Sequence, residues 1–517
     1  EIYTIAYTLS LHELFRSPDS LPLFCCLVDY SAAFDRVDRH KLWSKLASWG
    51  IPAKLLQSII SLYSSTWVQI KLDARHLSNI YYSTIGLKQG CVLAPILFNL
   101  YTADLPQALS GTGLAPPKIG GIKIQLLQYA DDLVIFDQTK VGLRRSLAAL
   151  DAYNSRNDLL LNAAKTKAMI FGKYPQKGAL RWKVGQQTVH TCNTYKYLGV
   201  WVTDQLSPSK HAATLQVKGA AIMYALRKLN RCLPSPTATP ILNILKAKLT
   251  PALSYGSIAY PGKFDLAIEA MNLKTHKAIL GIVRRARNAR VRAELGLVHQ
   301  AFKEQKFVLN YYLSTLRAPS GSLKHINRSI FEDDKNPWGH YLARAISELS
   351  IVKESLFNPL ISLQTWKLVL KREAARTSLA RDIHSLSYNT YNDVPNITYI
   401  PGKAQGYLKE ALSANTRKKI LNFRLHTLLI PTFNAACFPA SDVGPLRCRL
   451  CNISTESWIH LLCLCPCLID IRRRLLKQIF IKRGIRSCRA AADLCFHGDL
   501  TGSELSRISK FAHHIQP

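Results

Sequence analysis

"QYADDLVIFDQ", residues 128–138, sets two adjacent aspartates, Asp131 and Asp132, between an apolar approach (Ile122, Ile124, Leu126, Tyr129) and an apolar exit from Leu133 to Phe136. The flanking runs read as two short strands, so residues 122–136 are expected to form a hairpin with both carboxylates at its tip. Aspartate is a common turn former, and a bare pair of them on a tip needs no further explanation. A second run changes the balance. "LFCCLVD", residues 23–29, reads as a buried strand that also ends on an aspartate, Asp29, roughly 100 residues earlier. Three carboxylates from two neighbouring strand ends suit a pair of Mg²⁺ ions, the arrangement that clamps the attacking and leaving oxygens of an in-line phosphoryl displacement.

The gross composition fits such a substrate. The 517 residues are too many for one core and suggest about three domain-sized units, and a hydrophobic content of 48% is enough to build them. Lysine and arginine number 68 against 33 acids, which leaves a formal charge of +35 and points to a polyanionic partner, nucleic acid first. The longest apolar runs, "LPLFCCLV" and "CVLAPILF", fall far short of the ~18 residues of a spanning helix, so no membrane partner is expected. No signal peptide is visible, and thirteen cysteines without regular pairing fit a reducing, intracellular setting.

Along the chain, Asp38 is placed to cap a helix through "RHKLWSKLASW", a second helix follows Pro52, and "WVQIKL" alternates like a strand. Turn-rich stretches at "KYPQKG", residues 233–240, 318–322, 394–406 and 438–445 mark candidate boundaries. Residues 209–425 read as mostly helical, without a solenoid repeat.

These residues carry a resemblance. "YADD" (129–132) resembles the catalytic box of reverse transcriptases. "LVDYSAAFDRVDRHKLWSKL" and "GLKQGCVLAPILFNLYTADLP" are similar to the companion boxes of the non-LTR, LINE-type retrotransposon enzymes, and "LNAAKTKAMIFG" and "YKYLGVWVTD" to the two boxes that follow, in the family's order. The resemblance is specific over residues 1 to about 230 and weaker beyond. It implies an α+β fold: a right-hand, reverse transcriptase-like palm, then a mostly helical thumb and connecting region and a small Cys/His segment. The expected divisions are 1–205 (palm with truncated fingers), 206–320 (thumb and basic helical region), 321–440 (connecting region) and 441–517 (Cys/His segment and C-terminal helices).

The resemblance also implies roles. Asp29 and Asp131 match the magnesium ligands, with Asp132 the adjacent acid; Lys165, with Lys167 as the alternative, matches the lysine near the departing pyrophosphate. Phe34 matches the aromatic gate under the sugar of the incoming nucleotide, and Gln89 with Gly90 the tip beneath the nascent base pair. A bulky ring at such a place excludes a 2′-hydroxyl, although by itself Phe34 also reads as core. Tyr197, Leu198 and Gly199 match a primer-gripping turn. Asp35 and Asp38 read as structural, a salt-bridge partner and a helix cap.

"KHAATLQVKGAAIMYALRKLNR" (210–231) reads as an amphipathic helix with Lys210, Lys218, Arg227, Lys228 and Arg231 on polar positions, the thumb helix that by resemblance would hold template and primer phosphates. "RRARNARVR", with Arg284, Arg285, Arg287, Arg290 and Arg292, and "RRRLLKQ" (472–478) add to the same polyanion track. Near the end, Cys448, Cys451, His460 and Cys465 stand at intervening spacings of 2, 8 and 4, a donor set that suits tetrahedral zinc; Cys463 and Cys467 compete for the fourth place.

The expected function is RNA-directed DNA polymerisation of retrotransposon RNA. Its components would be two Mg²⁺, deoxynucleoside triphosphates, an RNA template and a DNA primer, with nicked target DNA in the nucleus as the family's usual primer. Only 28 residues precede Asp29, whereas the family's fingers begin well upstream, so truncation is expected and the alternative is an inactive nucleic-acid-binding remnant. No endonuclease is expected in the roughly 50 residues after the Cys/His cluster.

Overall fold

A computed structural model describes residues 22–71, 73, 76–175, 180–232, 238–256, 259–318, 322–333, 336–358, 360–387, 403–425, 447–448, 450–454, 459–497 and 500–515. By compactness the chain divides into two units: residues 1–211 with 318–336, and residues 212–317 with 337–517. No helix among the described residues is long and apolar enough to cross a membrane.

In the first unit, β1 (Leu23–Val28) is followed by helices α1 (Arg39–Ser48) and α2 (Ala53–Ser64), the ribbon β2 (Trp67–Val68) and β3 (Tyr81–Tyr82), and α3 (Ala94–Tyr101). Next come the ribbon β4 (Lys118–Ile119) and β5 (Ile122–Lys123), the hairpin β6 (Leu126–Tyr129) and β7 (Asp132–Asp137), and α4 (Lys140–Arg156). Strands β8 (Lys167–Phe171), β9 (Arg181–Val184), β10 (Gln187–Thr191), β11 (Thr194–Tyr197) and β12 (Val200–Thr203) complete it, and α5 (Ser209–Cys232) begins there. Six strands form one sheet in the order β6-β7-β1-β8-β10-β9. Every pairing in it is antiparallel except β8 with β10.

Local sequence explains the central elements. All six residues of β1 are buried, as an unbroken apolar run between two partner strands requires. Helix α4 places Leu143, Leu147 and Leu150 on one face, each fully buried, and Thr139 caps its start by accepting a hydrogen bond from Gly142 N at 3.0 Å. Asp38 caps α1 as expected, its carboxylate accepting from Lys41 N at 3.0 Å. Asp35 is different: Gln89 Nε2 donates to its two oxygens at 3.0 and 3.1 Å, so its partner is an amide and not the cation that the sequence suggested.

The hairpin is shorter than its apolar pattern. Ile122 belongs to the β4–β5 ribbon, and β6 starts only at Leu126. "WVQIKL" pairs only through Trp67–Val68 and an isolated bridge from Lys71 to Leu77. Residues 233–237, 388–402 and 426–446 lie outside the described residues, and with them most of the turn-rich stretches 233–240, 394–406 and 438–445.

The second unit is helical apart from short irregular segments among its described residues. It corrects part of the basic track. Arg290 and Arg292 are buried; the Arg292 guanidinium pairs with Asp382 and with Glu269 at 3.0 Å, and Asp382 also receives Nε at 3.0 Å. A guanidinium enclosed by two carboxylates ties helices together and is closed to phosphate. Arg284, Arg285 and Arg287 stay exposed.

Candidate active site

The hairpin's register decides where the aspartates lie. Tyr129 pairs with Asp132, so only Ala130 and Asp131 form the turn, and Asp132 is already the first residue of β7. Ala130 sits at φ 52°, a left-handed conformation that an alanine adopts only when its surroundings impose it. Gln128 helps to impose it: its amide donates to Ala130 O at 3.1 Å and to Thr102 Oγ1 at 2.6 Å. On the other side, β1 pairs with β7 up to Val28 opposite Leu133; one further step along both strands sets Asp29 beside Asp132. The three acids of the sequence pattern thus meet at one edge of the sheet, and all three are half-buried.

Asp29 is clasped by the loop before β8. Asn162 N donates to its carbonyl at 2.8 Å, and its own N–H donates to Thr166 Oγ1 at 3.1 Å. Thr166 is fully buried, so these bonds fix the backbone of Asp29 while leaving its carboxylate uncommitted. Oδ2 of Asp29 is buried and accepts no hydrogen bond; the Lys165 ammonium stands 3.7 Å away on a side chain that is 70% exposed. A buried carboxylate oxygen without a donor is rare unless something else satisfies it. Asp137, at the far end of β7, shows the contrast: it accepts from Leu114 N (2.9 Å), Ala115 N (3.2 Å) and Thr139 N (2.7 Å) and is structural. The donor set Asp29, Asp131 and Asp132 is all oxygen, anionic and half-buried, which fits Mg²⁺.

Burial first, then the charges of Asp131 and Asp29, push the Asp132 carboxyl up to about 6. The phenol of Tyr195 in β11 is raised as well, by burial and then by the charges of Asp29 and Asp132. Tyr195, Asn162 and Thr166 lie within the two later boxes of the sequence, but those boxes do not disclose these partners, because the contacts of Asn162 and Thr166 with Asp29 span more than 130 residues.

Because folded Asp132 holds its proton more tightly than the unfolded chain does, stability falls as pH rises from about 4 through 6. Asp132→Asn is therefore expected to raise stability at pH 7–8 by about 1 kcal/mol, discounted for partial exposure, and to change nothing below about pH 4. Thermal unfolding of parent and variant in magnesium-free buffer over that range checks it; equal stability at pH 8 would refute the repulsion.

The companion motifs are bonded to each other. Leu87 N donates to Phe34 O and Gly86 N to Val37 O, each at 2.8 Å, and Gln89 reaches Asp35 as above. Residues 34–37 and 86–89 are thereby zipped together. The half-buried Phe34 ring stacks on Phe98 at 4.8 Å, a packing contact. Gly90 is exposed at φ 83°. Leu198 (φ 45°) and Gly199 (φ 80°) form the two-residue turn between paired Tyr197 and Val200, the left-handed geometry that hairpins favour. Lys210 donates to Thr194 Oγ1 at 2.8 Å and lies 4.0 Å over the Trp201 ring. In the second unit Lys218, Arg227 and Lys228 are exposed, while the Arg231 side chain is outside the described residues.

The Cys/His segment is built independently. Ligand atoms of Cys448, Cys451, His460 and Cys465 all lie within 4.8 Å of one another, the one such group among the described residues. Cys448 Sγ to Cys465 Sγ is 3.9 Å and Cys451 Sγ to His460 Nε2 is 3.3 Å. Tetrahedral zinc with bonds of about 2.3 Å to sulfur and 2.0 Å to nitrogen has edges of about 3.8 and 3.5 Å. The donor set fits zinc. The competing thiols are engaged elsewhere, Cys463 with Cys488 O (3.7 Å) and Cys467 with Leu450 O (3.1 Å).

Residues 11–202 match the family "Reverse transcriptase (RNA-dependent DNA polymerase)". The Pol polyprotein of the R2 retrotransposable element of Popillia japonica is 26% identical over 44% of this chain and 37% of its own length. The RNA-directed DNA polymerase of the mobile element jockey from Drosophila funebris is 27% identical over 46% of this chain and 25% of its own. The R2DM polyprotein of Drosophila melanogaster is 29% identical over 37% and 18%. The chain thus matches about a fifth to a third of the length of these relatives.

Proposed function

We propose that this chain, whose residues 11–202 form a reverse transcriptase domain akin to those of non-LTR retrotransposons, extends a DNA primer on an RNA template. The observation that carries the reading is the meeting of Asp29, Asp131 and Asp132 at one sheet edge, with a buried oxygen of Asp29 left without a donor. Two Mg²⁺ held by Asp29 and Asp131, with Asp132 adjoining, would supply activation of the primer hydroxyl and charge neutralisation on the phosphates. The chain's own residues supply the rest. The primer 3′-hydroxyl attacks the α-phosphate in line, and pyrophosphate leaves toward Lys165, whose exposed side chain is free to swing from Asp29 and to donate a proton or its charge. Gln128 and Thr166 hold the turn and the strand end in place, so that orientation is prepared before substrate arrives.

Phe34 sets the sugar. With one face on Phe98, the ring cannot retreat from a 2′-hydroxyl, and selection works by exclusion. Phe34→Val is expected to raise ribonucleotide incorporation relative to deoxynucleotide by about tenfold or more, with deoxynucleotide turnover kept within a few-fold. Steady-state competition between the two nucleotides measures it; unchanged preference would return Phe34 to a packing role alone.

The relatives' names attach the activity to mobile elements, which supports retrotransposon RNA as template; nicked target DNA as primer and a nuclear location belong to the same proposal. The Cys/His segment is read as a structural zinc module. The test is incorporation of labelled deoxynucleotide on an RNA template with a DNA primer. Incorporation that requires magnesium and the RNA strand is expected; nucleic-acid binding with no incorporation would favour an inactive remnant.

A further inference from the structure

Three helices of the second unit, Ala414–Arg424, Ile469–Leu475 and Gly502–His514, line a cleft of about 480 Å³. Each contributes a cation, Lys419, Arg474 and Lys510, and the rings of His513 and His514 join them. No carboxylate lines the cleft among the described residues. Of the acids on these helices, Glu504 is paired with Arg483 at 2.7 Å, and Asp470 is exposed, 4.0 Å from Arg473. Three like charges from three separate helices repel one another, and packing alone gives no reason to converge them. An anion bound between them supplies the reason.

The volume is that of a ligand pocket and far exceeds one small anion. Hydroxyl and amide groups of Thr416, Ser506 and Asn415 stand among the cations, the polar mixture that receives phosphate and sugar oxygens together. The formal charge of +35 makes a polyanion the fitting occupant. We propose that this cleft seats a phosphodiester backbone through Lys419, Arg474 and Lys510, a second nucleic-acid site carried by a different unit from the aspartate hairpin. It extends the nucleic-acid reading above and needs no polymerase turnover, so the two can fail separately. Only Arg474 lay in a basic run of the sequence; Lys419 and Lys510 come to it through the meeting of the helices.

The test compares the full chain with Lys419→Gln/Arg474→Gln/Lys510→Gln, using labelled duplex DNA and labelled single-stranded RNA across a salt series. The triple variant is expected to bind at least about tenfold more weakly near physiological salt. Its slope of log affinity against log salt should be shallower by about 3 on duplex DNA or about 2 on single strands, at ~0.9 and ~0.7 per lost phosphate contact. A shift on one of the two alone identifies that strand type as the occupant, and a shift on both identifies the shared backbone. In the parent chain, bound oligonucleotide should protect Lys510 from acetylation, a readout that does not depend on the variant's folding. Unchanged affinity and slope on both oligonucleotides, or an unprotected Lys510, overturns the proposal. Incorporation measured in parallel separates the two readings: a retained slope with working incorporation sinks the cleft alone, and a lost slope without incorporation sinks the polymerase reading alone.

Discussion

Asp131→Ala is expected to lower magnesium-dependent incorporation at least about a thousandfold while leaving template-primer binding within a few-fold. The size follows from where the carboxylate sits. Asp131 is one of only two residues in a turn braced by Gln128 and by the pairing of Tyr129 with Asp132, so removing it takes a ligand from a fixed position and no neighbour can swing in. Losing about 4 kcal/mol of transition-state stabilisation corresponds to three decades in rate. Asp29→Ala should match it, since its backbone is clasped by Asn162 and Thr166 while its carboxylate accepts no hydrogen bond at Oδ2. Thr166→Val tests positioning: it should reduce turnover with little change in the magnesium concentration needed, because the ligand set survives. Rates and magnesium titrations of the three variants check the pattern, and an Asp131→Ala chain that keeps a tenth of parental turnover would exclude the assignment.

The second large effect concerns zinc. The chain is expected to carry about one zinc per molecule, and Cys448→Ser or Cys465→Ser to lose it together with the fold around residues 447–468. Both thiols and the His460 ring are buried, so a bound zinc would be enclosed by three sulfurs and a ring. Burial, and then Cys448, push the Cys465 thiol up to about 12, so the metal-free segment keeps its proton there and zinc must displace it. Structural zinc contributes about 10–16 kcal/mol of binding free energy in small modules, enough to decide whether so short a segment is ordered. Cys463→Ser and Cys467→Ser should retain the metal, since those thiols point to Cys488 O and Leu450 O. Metal analysis of the four purified variants distinguishes the sets; zinc loss in Cys463→Ser with retention in Cys465→Ser would reverse the ligand assignment.

What the sequence disclosed, and what it withheld, follow from the range of the interactions. The β1 strand, the cap at Asp38 and the hairpin around Asp131 are written in neighbouring residues, and each was readable. The convergence of Asp29 with Asp132 needed only the inference that two strand ends are neighbours. Register was harder: the apolar run from Ile122 does not disclose that Ile122 pairs with Ile119 in a separate ribbon. Polar partners over long separations were not legible at all. Asp35 finds the Gln89 amide instead of a cation, and Arg292 turns inward to Asp382, because charge in a sequence shows neither the partner nor the side of the helix that packing selects. For the same reason residues 318–336 fall with the first unit although the sequence around them is helical like the second.

Electron paramagnetic resonance of bound Mn²⁺, used in place of Mg²⁺, tests the central claim most directly, in the chain with template-primer and a non-reactive deoxynucleotide analogue. The account predicts two Mn²⁺ per chain in the parent and fewer in both Asp29→Ala and Asp131→Ala. Equal Mn²⁺ binding in parent and both variants would contradict it, whatever the chain then proves to bind or to copy.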